Sequence, residues 1–230
     1  MERWVTLFEA NCDPAREAEF NQWYDEVHVP DVLATPGYRR GRRYVNREFR
    51  DGRGKYLAIY DIETTDLAKT MEVRLAKREE ERQSGRGSTT RADWVYMLWR
   101  DVLFRQIFEK AAPGNGTGKQ KWINLVEQNN DPKREDEYHR WYNEMHIPDI
   151  LETPGFVKAT RYEIREPRDG RGRFLAVYEI ETDDVAETMK VRLAKREAET
   201  KAGRASTSRN HLTRAVWRDV LWKLTLEKHA

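Results

Sequence analysis

Residues 23–37 read WYDEVHVPDVLATPG, and residues 141–155 read WYNEMHIPDILETPG. Three more pairs keep the same offset of 118: DGRGKYLAIYDIET from Asp51 with DGRGRFLAVYEIET from Asp169, MEVRLAKRE from Met71 with MKVRLAKRE from Met189, and WRDVL from Trp99 with WRDVL from Trp217. No gap is needed between Trp4 and Thr225, and more than half of the aligned positions are identical. Self-similarity at a fixed period means one structural unit used twice. The expected organisation is a first repeat over residues 1–109 and a second over residues 120–230. The Gly-rich stretch 110–119 between them reads as a flexible linker.

Each copy carries the same pattern. In the first, RWVTLFEA is aromatic and β-branched, which predicts a strand. Asp13 as N-cap and Pro14 at the first helical position start a helix, and Phe20, Trp23 and Val27 give it an apolar stripe. Pro30 lacks a backbone N–H, so the helix must kink or restart near Val29. Thr35, Pro36 and Gly37 end it. Two strands follow, at about residues 38–48 and 55–63, joined by a hairpin at Asp51 and Gly52. A helix over 66–83 and a strand over 94–108 complete the unit. The order β-α-β-β-α-β is the ferredoxin-like plan, an α+β fold. A single such sheet has helices on one face and needs cover on the other. A second copy can supply it, either face to face or joined into a barrel, so the chain is expected to be a pseudo-dimer in itself, with further homodimerisation left open.

Composition narrows the partners. Charged residues make up 36% of the 230 and leave a formal +2, without the cationic excess that nucleic-acid binding requires. The single cysteine, Cys12, excludes an intramolecular disulfide and a multi-Cys zinc site. The five histidines form no HxH or HExxH cluster, and no metal is expected. No apolar stretch approaches the roughly 20 residues of a membrane helix, and the N-terminus lacks a signal core. A cytoplasmic protein without a membrane partner is expected. Eight Trp, ten Tyr and seven Phe supply apolar area that can also line a pocket for flat organic molecules.

The spacing WY-x3-H-x-P-x5-PG, present twice, resembles the EthD-like branch of the dimeric α+β-barrel superfamily, and the likeness covers nearly the whole chain. The resemblance implies that barrel fold. Among its members' activities are cofactor-free cyclase, dehydratase, decarboxylase, isomerase and monooxygenase reactions on aromatic or polyketide-like compounds. Other members bind haem, and many have no known activity. The leading expectation is a cofactor-independent enzyme acting on a small aromatic or polyketide-like molecule by His-centred acid–base chemistry, as a lyase, dehydratase, cyclase or isomerase. The alternatives are a non-catalytic small-molecule binder, and a haem protein or cofactor-free oxygenase.

Tyr24 and His28 stand at i, i+4 on one helix face, with Asp31 three residues on; Tyr142, His146 and Asp149 repeat them. Imidazole suits acid–base work near neutrality, an Asp can fix its tautomer, and a Tyr can donate to a developing oxyanion. By the resemblance, His28 and His146 point into a cleft and are the best catalytic candidates. The competing reading is structural: the His caps helix carbonyls and the Asp caps the restarted helix. Arg86 and Arg204, in loops that also carry Ser88, Thr89 and Arg91 in the first copy, could hold an anion, although a solvated loop is the plainer reading. Asn11 and Asn129 face the same cleft or shape the strand-to-helix turn, with the turn preferred. Trp23 and Trp141 lie on the apolar stripe and read as core before substrate platform. The RLAKRE segments read as exposed, i, i+4-paired charge. The strand after Pro-Gly differs between copies. Arg39, Arg40, Arg42 and Arg43 stand against Lys158 and Arg161 alone, which predicts an anion-binding or salt-bridged site in copy one and a more apolar one in copy two.

Overall fold

Tyr56, Leu57, Ala58, Ile59 and Tyr60 are consecutive and all buried. A strand that alternates its side chains across two faces can bury five in a row only if both faces are covered. The computed structural model describes residues 1–47, 54–87, 95–166, 171–205 and 212–230, with the backbone alone described for 95–101 and 215–219. The chain divides into two units, Met1–Arg105 with Leu224–Ala230, and Gln106–Lys223.

In the first unit, β1 (Glu2–Cys12) lies antiparallel between β3 (Tyr56–Thr64) and β4 (Val95–Ala111), and β2 (Tyr38–Asn46) flanks β3. The order is therefore β4-β1-β3-β2. The last residues of the chain close on β2, where the Ala230 N–H donates to the Arg39 carbonyl at 3.0 Å and the Thr225 hydroxyl to the Arg43 carbonyl at 3.1 Å. The helices α1 (Glu17–Trp23), α2 (Val29–Leu33) and α3 (Leu67–Gln83) complete the β-α-β-β-α-β order. Phe20, Trp23, Tyr24, Val29 and Val32 pack on Trp4, Tyr38, Tyr56, Tyr60 and Ile62. Burying each large side chain stabilises by about 1.5–3 kcal/mol.

The second unit repeats this with β5 (Lys121–Asn130), α4 (Glu135–Trp141), α5 (Ile147–Leu151), β6 (Phe156–Ile164), β7 (Phe174–Glu181), α6 (Val185–Lys201) and β8 (Thr213–His229). Its order is β8-β5-β7-β6, and its core centres on Tyr138, Trp141, Tyr142, Ile147, Phe174 and Tyr178. No described helix is long and apolar enough to cross a membrane.

The first helix of each unit is built in four pieces. Asp13 accepts the Ala15 N–H at 2.9 Å and caps a 3₁₀ turn, Pro14–Arg16, as the Asp-Pro pair predicts. After α1, residues Tyr24–His28 widen into a π-turn, with the Val29 N–H donating to the Tyr24 carbonyl five residues back. Pro30 explains the widening. Its missing N–H cannot serve the Glu26 carbonyl of an α-helix or the Asp25 carbonyl of a π-turn, and its ring would crowd the former. The orphaned Asp25 carbonyl is taken by Lys228 Nζ at 2.6 Å. Tyr142–His146 form the same π-turn ahead of Pro148. Gly37 and Gly155, at φ +96° and +95°, then turn the chain into the next strand, a conformation that disfavours any side chain.

Two expectations change, and for the β2 arginines the salt-bridged alternative holds. The stretch 110–119 is not a free linker. Lys110 and Ala111 finish β4, and Asn115 Nδ2 donates to the carbonyls of Leu151, Thr153 and Phe156 at 2.8–2.9 Å. A Cβ on Gly118 would lie 2.2 Å from the Asp183 nitrogen, so that glycine serves close approach rather than looseness. The RLAKRE segments are not wholly exposed: Arg74 pairs in a buried bidentate contact with Glu81, and Arg192 with Glu199, two helical turns apart. The arginines of β2 are met by internal carboxylates. Arg40 and Arg42 share Asp61, while Arg39 stays exposed at a register shift and Arg43 is buried. The expected Asp51–Gly52 hairpin lies outside the described residues.

Replacing Lys228 with Met should lower stability by about 1–3 kcal/mol, because it leaves the Asp25 carbonyl without a donor. Urea denaturation checks this, and an unchanged midpoint would mean that the π-turn does not need Lys228.

Candidate functional site

The π-turn gathers three rings in unit one. The His28 imidazole lies nearly flat on Trp23, with centroids 4.9 Å apart and planes at 25°, and meets Tyr24 edge-on at 4.9 Å. The i, i+4 placement of Tyr24 and His28 holds, and Trp23 acts as both core and platform for the imidazole. Trp23 is fixed in turn, since its Nε1 donates to the Arg86 carbonyl at 2.8 Å. His28 is 7% exposed, and its Nδ1 is buried without a hydrogen-bond partner among the described residues. Among the described residues Nδ1 therefore caps no helix carbonyl. Most buried polar atoms are satisfied, so such an atom needs an explanation.

Burial pushes the His28 pKa down to about 3, and the guanidiniums of Arg74, Arg43 and Arg78 push it the same way. The imidazole is neutral at physiological pH, with one nitrogen protonated and the other free to accept. Arg43, 3% exposed, sits 4.3 Å over the Tyr24 ring and contacts the Asp25 carboxylate and Asn21. Burial also raises the Tyr24 pKa, keeping its phenol protonated.

Unit two reproduces the group. His146 stacks on Trp141 at 4.8 Å and 21° and meets Tyr142 edge-on at 4.9 Å. Its Nδ1 is likewise buried without a partner among the described residues, and burial with Arg192, Arg196 and Arg161 brings its pKa to about 3. Trp141 Nε1 donates to the Arg204 carbonyl at 3.0 Å. The Tyr142 and Tyr178 hydroxyls are 2.9 Å apart. Arg161, 1% exposed, lies 4.1 Å over Tyr142.

The remaining candidates sit beside these rings. Asp31 pairs with Arg86 at 3.1 Å, and Asp149 contacts Arg204. Each Asp is thus engaged by the loop arginine, and among the described residues neither bonds its histidine. Asn11 Oδ1 accepts the Lys55 N–H at 2.7 Å, and Asn129 Oδ1 the Arg173 N–H at 2.8 Å, which ties β1 and β5 to the starts of their neighbouring strands. Ser88, Thr89 and Arg91 lie outside the described residues. The residues that sequence reasoning missed are the buried pairs Arg74–Glu81 and Arg192–Glu199. Their signal was present, an Arg and a Glu seven apart repeated in both copies, but an i, i+7 pair on a charged helix resembles ordinary surface charge.

Nδ1 of each histidine is buried, and one face of each ring is covered by Trp23 or Trp141, so a haem iron would have to be held through Nε2. No cluster of three or more His, Cys, Asp or Glu suited to a metal occurs among the described residues.

Comparison with known proteins agrees on the fold. A family model described as a domain of unknown function (DUF4286) matches residues 122–206. No curated protein matches the chain. Among solved structures, chlorite dismutase from Candidatus Nitrospira defluvii in complex with imidazole is 11% identical, with TM-score 0.59, covering 97% of this chain and 91% of that one. An anthrone oxidase-like protein is 13% identical, with TM-score 0.59, covering 100% and 93%. A proposed monooxygenase from Lactobacillus acidophilus is 6% identical, with TM-score 0.57, covering 98% and 94%.

The neutral histidines carry a stability consequence. Their folded pKa of about 3 lies below the ordinary 6.5, so the unfolded chain binds more protons between those values. Stability is complete above about pH 6.5 and falls toward pH 3, by up to about 1.4 kcal/mol per pH unit for each histidine. Urea midpoints measured from pH 7 to pH 4 should fall, and less steeply in His28→Gln/His146→Gln; equal slopes would contradict the burial argument.

These geometries and likenesses support one structural conclusion: the chain has an α+β fold built on antiparallel sheet, shared with chlorite dismutase, an anthrone oxidase-like protein and a proposed monooxygenase.

Proposed function

We propose that each unit carries a small-molecule site centred on its π-turn histidine, and that the chain is an enzyme acting on a small hydroxyaromatic compound without a bound cofactor. The observation that carries this reading is the unpartnered Nδ1 of His28 and of His146, held in the same aromatic setting in both units. A phenolic or enolic O–H would donate to that nitrogen and remove the cost of a buried, unsatisfied acceptor, about 1–3 kcal/mol. Trp and Tyr rings beside it suit a flat substrate. A nitrogen of such low basicity orients the hydroxyl rather than removing its proton outright. The neighbouring guanidiniums favour the anion that forms when the proton leaves.

The repeated WY-x3-H-x-P-x5-PG signature supports the EthD-like branch, with the two units as a duplicated pair that mimics a dimer in one chain. The lyase or isomerase type expected from the resemblance draws no support from the structures of similar fold. Their names are dismutase, oxidase-like and monooxygenase. We therefore favour oxidation by dioxygen, in which a bound hydroquinone-type compound loses two electrons and two protons to become the quinone and dioxygen takes them up as hydrogen peroxide. A binding protein without turnover is the second reading, favoured by the low basicity of both histidines.

Oxygen uptake with a hydroquinone probe tests the proposal. The full chain should consume oxygen, and His28→Ala/His146→Ala should reduce the rate at least tenfold, with each single variant intermediate. An undiminished rate in the double variant would contradict the site. Recovery of the probe bound and unchanged, read by mass spectrometry, would favour the binding protein.

A further inference from the structure

The two sites differ in the partner of their buried arginine. In unit one, Arg43 Nη1 meets the Asp25 carboxylate, and Nη2 donates to Asn21 Oδ1 at 2.9 Å. In unit two, Arg161 Nη1 donates to Asn143 Oδ1 at 2.6 Å, and Nη2 lies 3.2 Å from His139 Nδ1. Burial and the Arg161 charge lower the His139 pKa, so the ring is neutral and able to accept. Among the described residues no carboxylate pairs with Arg161. Unit two does have an extra acid, Glu163, where unit one has Val45, but it engages Arg173 at 2.8 Å, as does Glu135. The additional negative charge therefore neutralises a different cation.

A guanidinium at 1% exposure with only neutral partners carries a desolvation cost that an ion pair would offset. The His139 side chain is 30% exposed and Asn143 is half-buried, so these two neutral groups stand between solvent and the guanidinium, which lies over the Tyr142 ring, and an anion reaches it by displacing them. In unit one the Asp25 carboxylate occupies that place.

We infer that position 143, and its counterpart 25, sets the charge of the ligand each unit accepts. Unit two takes an aromatic carboxylate or phenolate whose negative charge pairs with Arg161, and Asp25 restricts unit one to neutral ligands. The inference rests on the small-molecule reading of the two sites and names the ligand class that separates them.

Calorimetric titration of the full chain with 4-hydroxybenzoate and with the neutral 4-hydroxybenzamide tests it. The carboxylate should bind at one site at least tenfold more tightly than the amide. Asn143→Asp, which installs the pairing of unit one, should abolish that preference, and Asp25→Asn should create a second carboxylate site. Unchanged carboxylate affinity in Asn143→Asp, or a single site in Asp25→Asn, would overturn the inference. Equal affinity for both probes overturns it alone, whereas binding of neither contradicts the small-molecule reading as well.

Discussion

A proline cannot donate a backbone hydrogen bond, and that missing donor organises both units. At Pro30 and Pro148 an α-helix would leave a carbonyl unserved and crowded. The chain widens into a π-turn instead, with bonds five residues apart at Val29 and Ile147. Such turns recur at functional sites because they re-aim neighbouring side chains. Here the turn begins at a tyrosine and ends at a histidine, and the tryptophan before it lies flat against the imidazole. The site is therefore a consequence of how the helix survives its proline.

Electrostatics then decides what the histidine can do. Burial alone would depress its pKa, and arginines from β2 and α3, or from β6 and α6, reinforce the effect. One of them, Arg74, is balanced by Glu81, and its counterpart Arg192 by Glu199. The result is a neutral acceptor among cations. Such an environment favours a ligand that brings a donor hydroxyl and can carry negative charge. Arg43 of β2 meets a carboxylate whereas Arg161 of β6 meets neutral side chains, which is why two nearly identical sites need not take the same ligand.

Much of this was legible in the sequence, and the reasons for the rest are physical. The β-α-β-β-α-β order followed from alternation, caps and turn residues, and the placement of Tyr24 with His28 followed from helical spacing. The break at Pro30 was readable, but its form was not, because a kink, a restart and a π-turn all answer the same missing donor. The tie from Lys228 to the Asp25 carbonyl spans 203 residues, so no local pattern announces it. Residues 110–119 misled through composition, since glycine marks close approach as readily as looseness. Charge on α3 and α6 misled because helical spacing alone does not tell a buried Arg–Glu pair from a solvated one. Asp31 and Asp149 were read toward the histidines, but the loop arginines are their partners.

The central claim is that His28 and His146 are neutral acceptors, and an NMR titration of the histidine Cε1–H resonances tests it most directly. Two of the five histidines, identified by substitution as His28 and His146, should show no protonation shift from pH 8 down to about 4, in line with pKa values of about 3. Titration of both near the ordinary 6.5 would contradict the account.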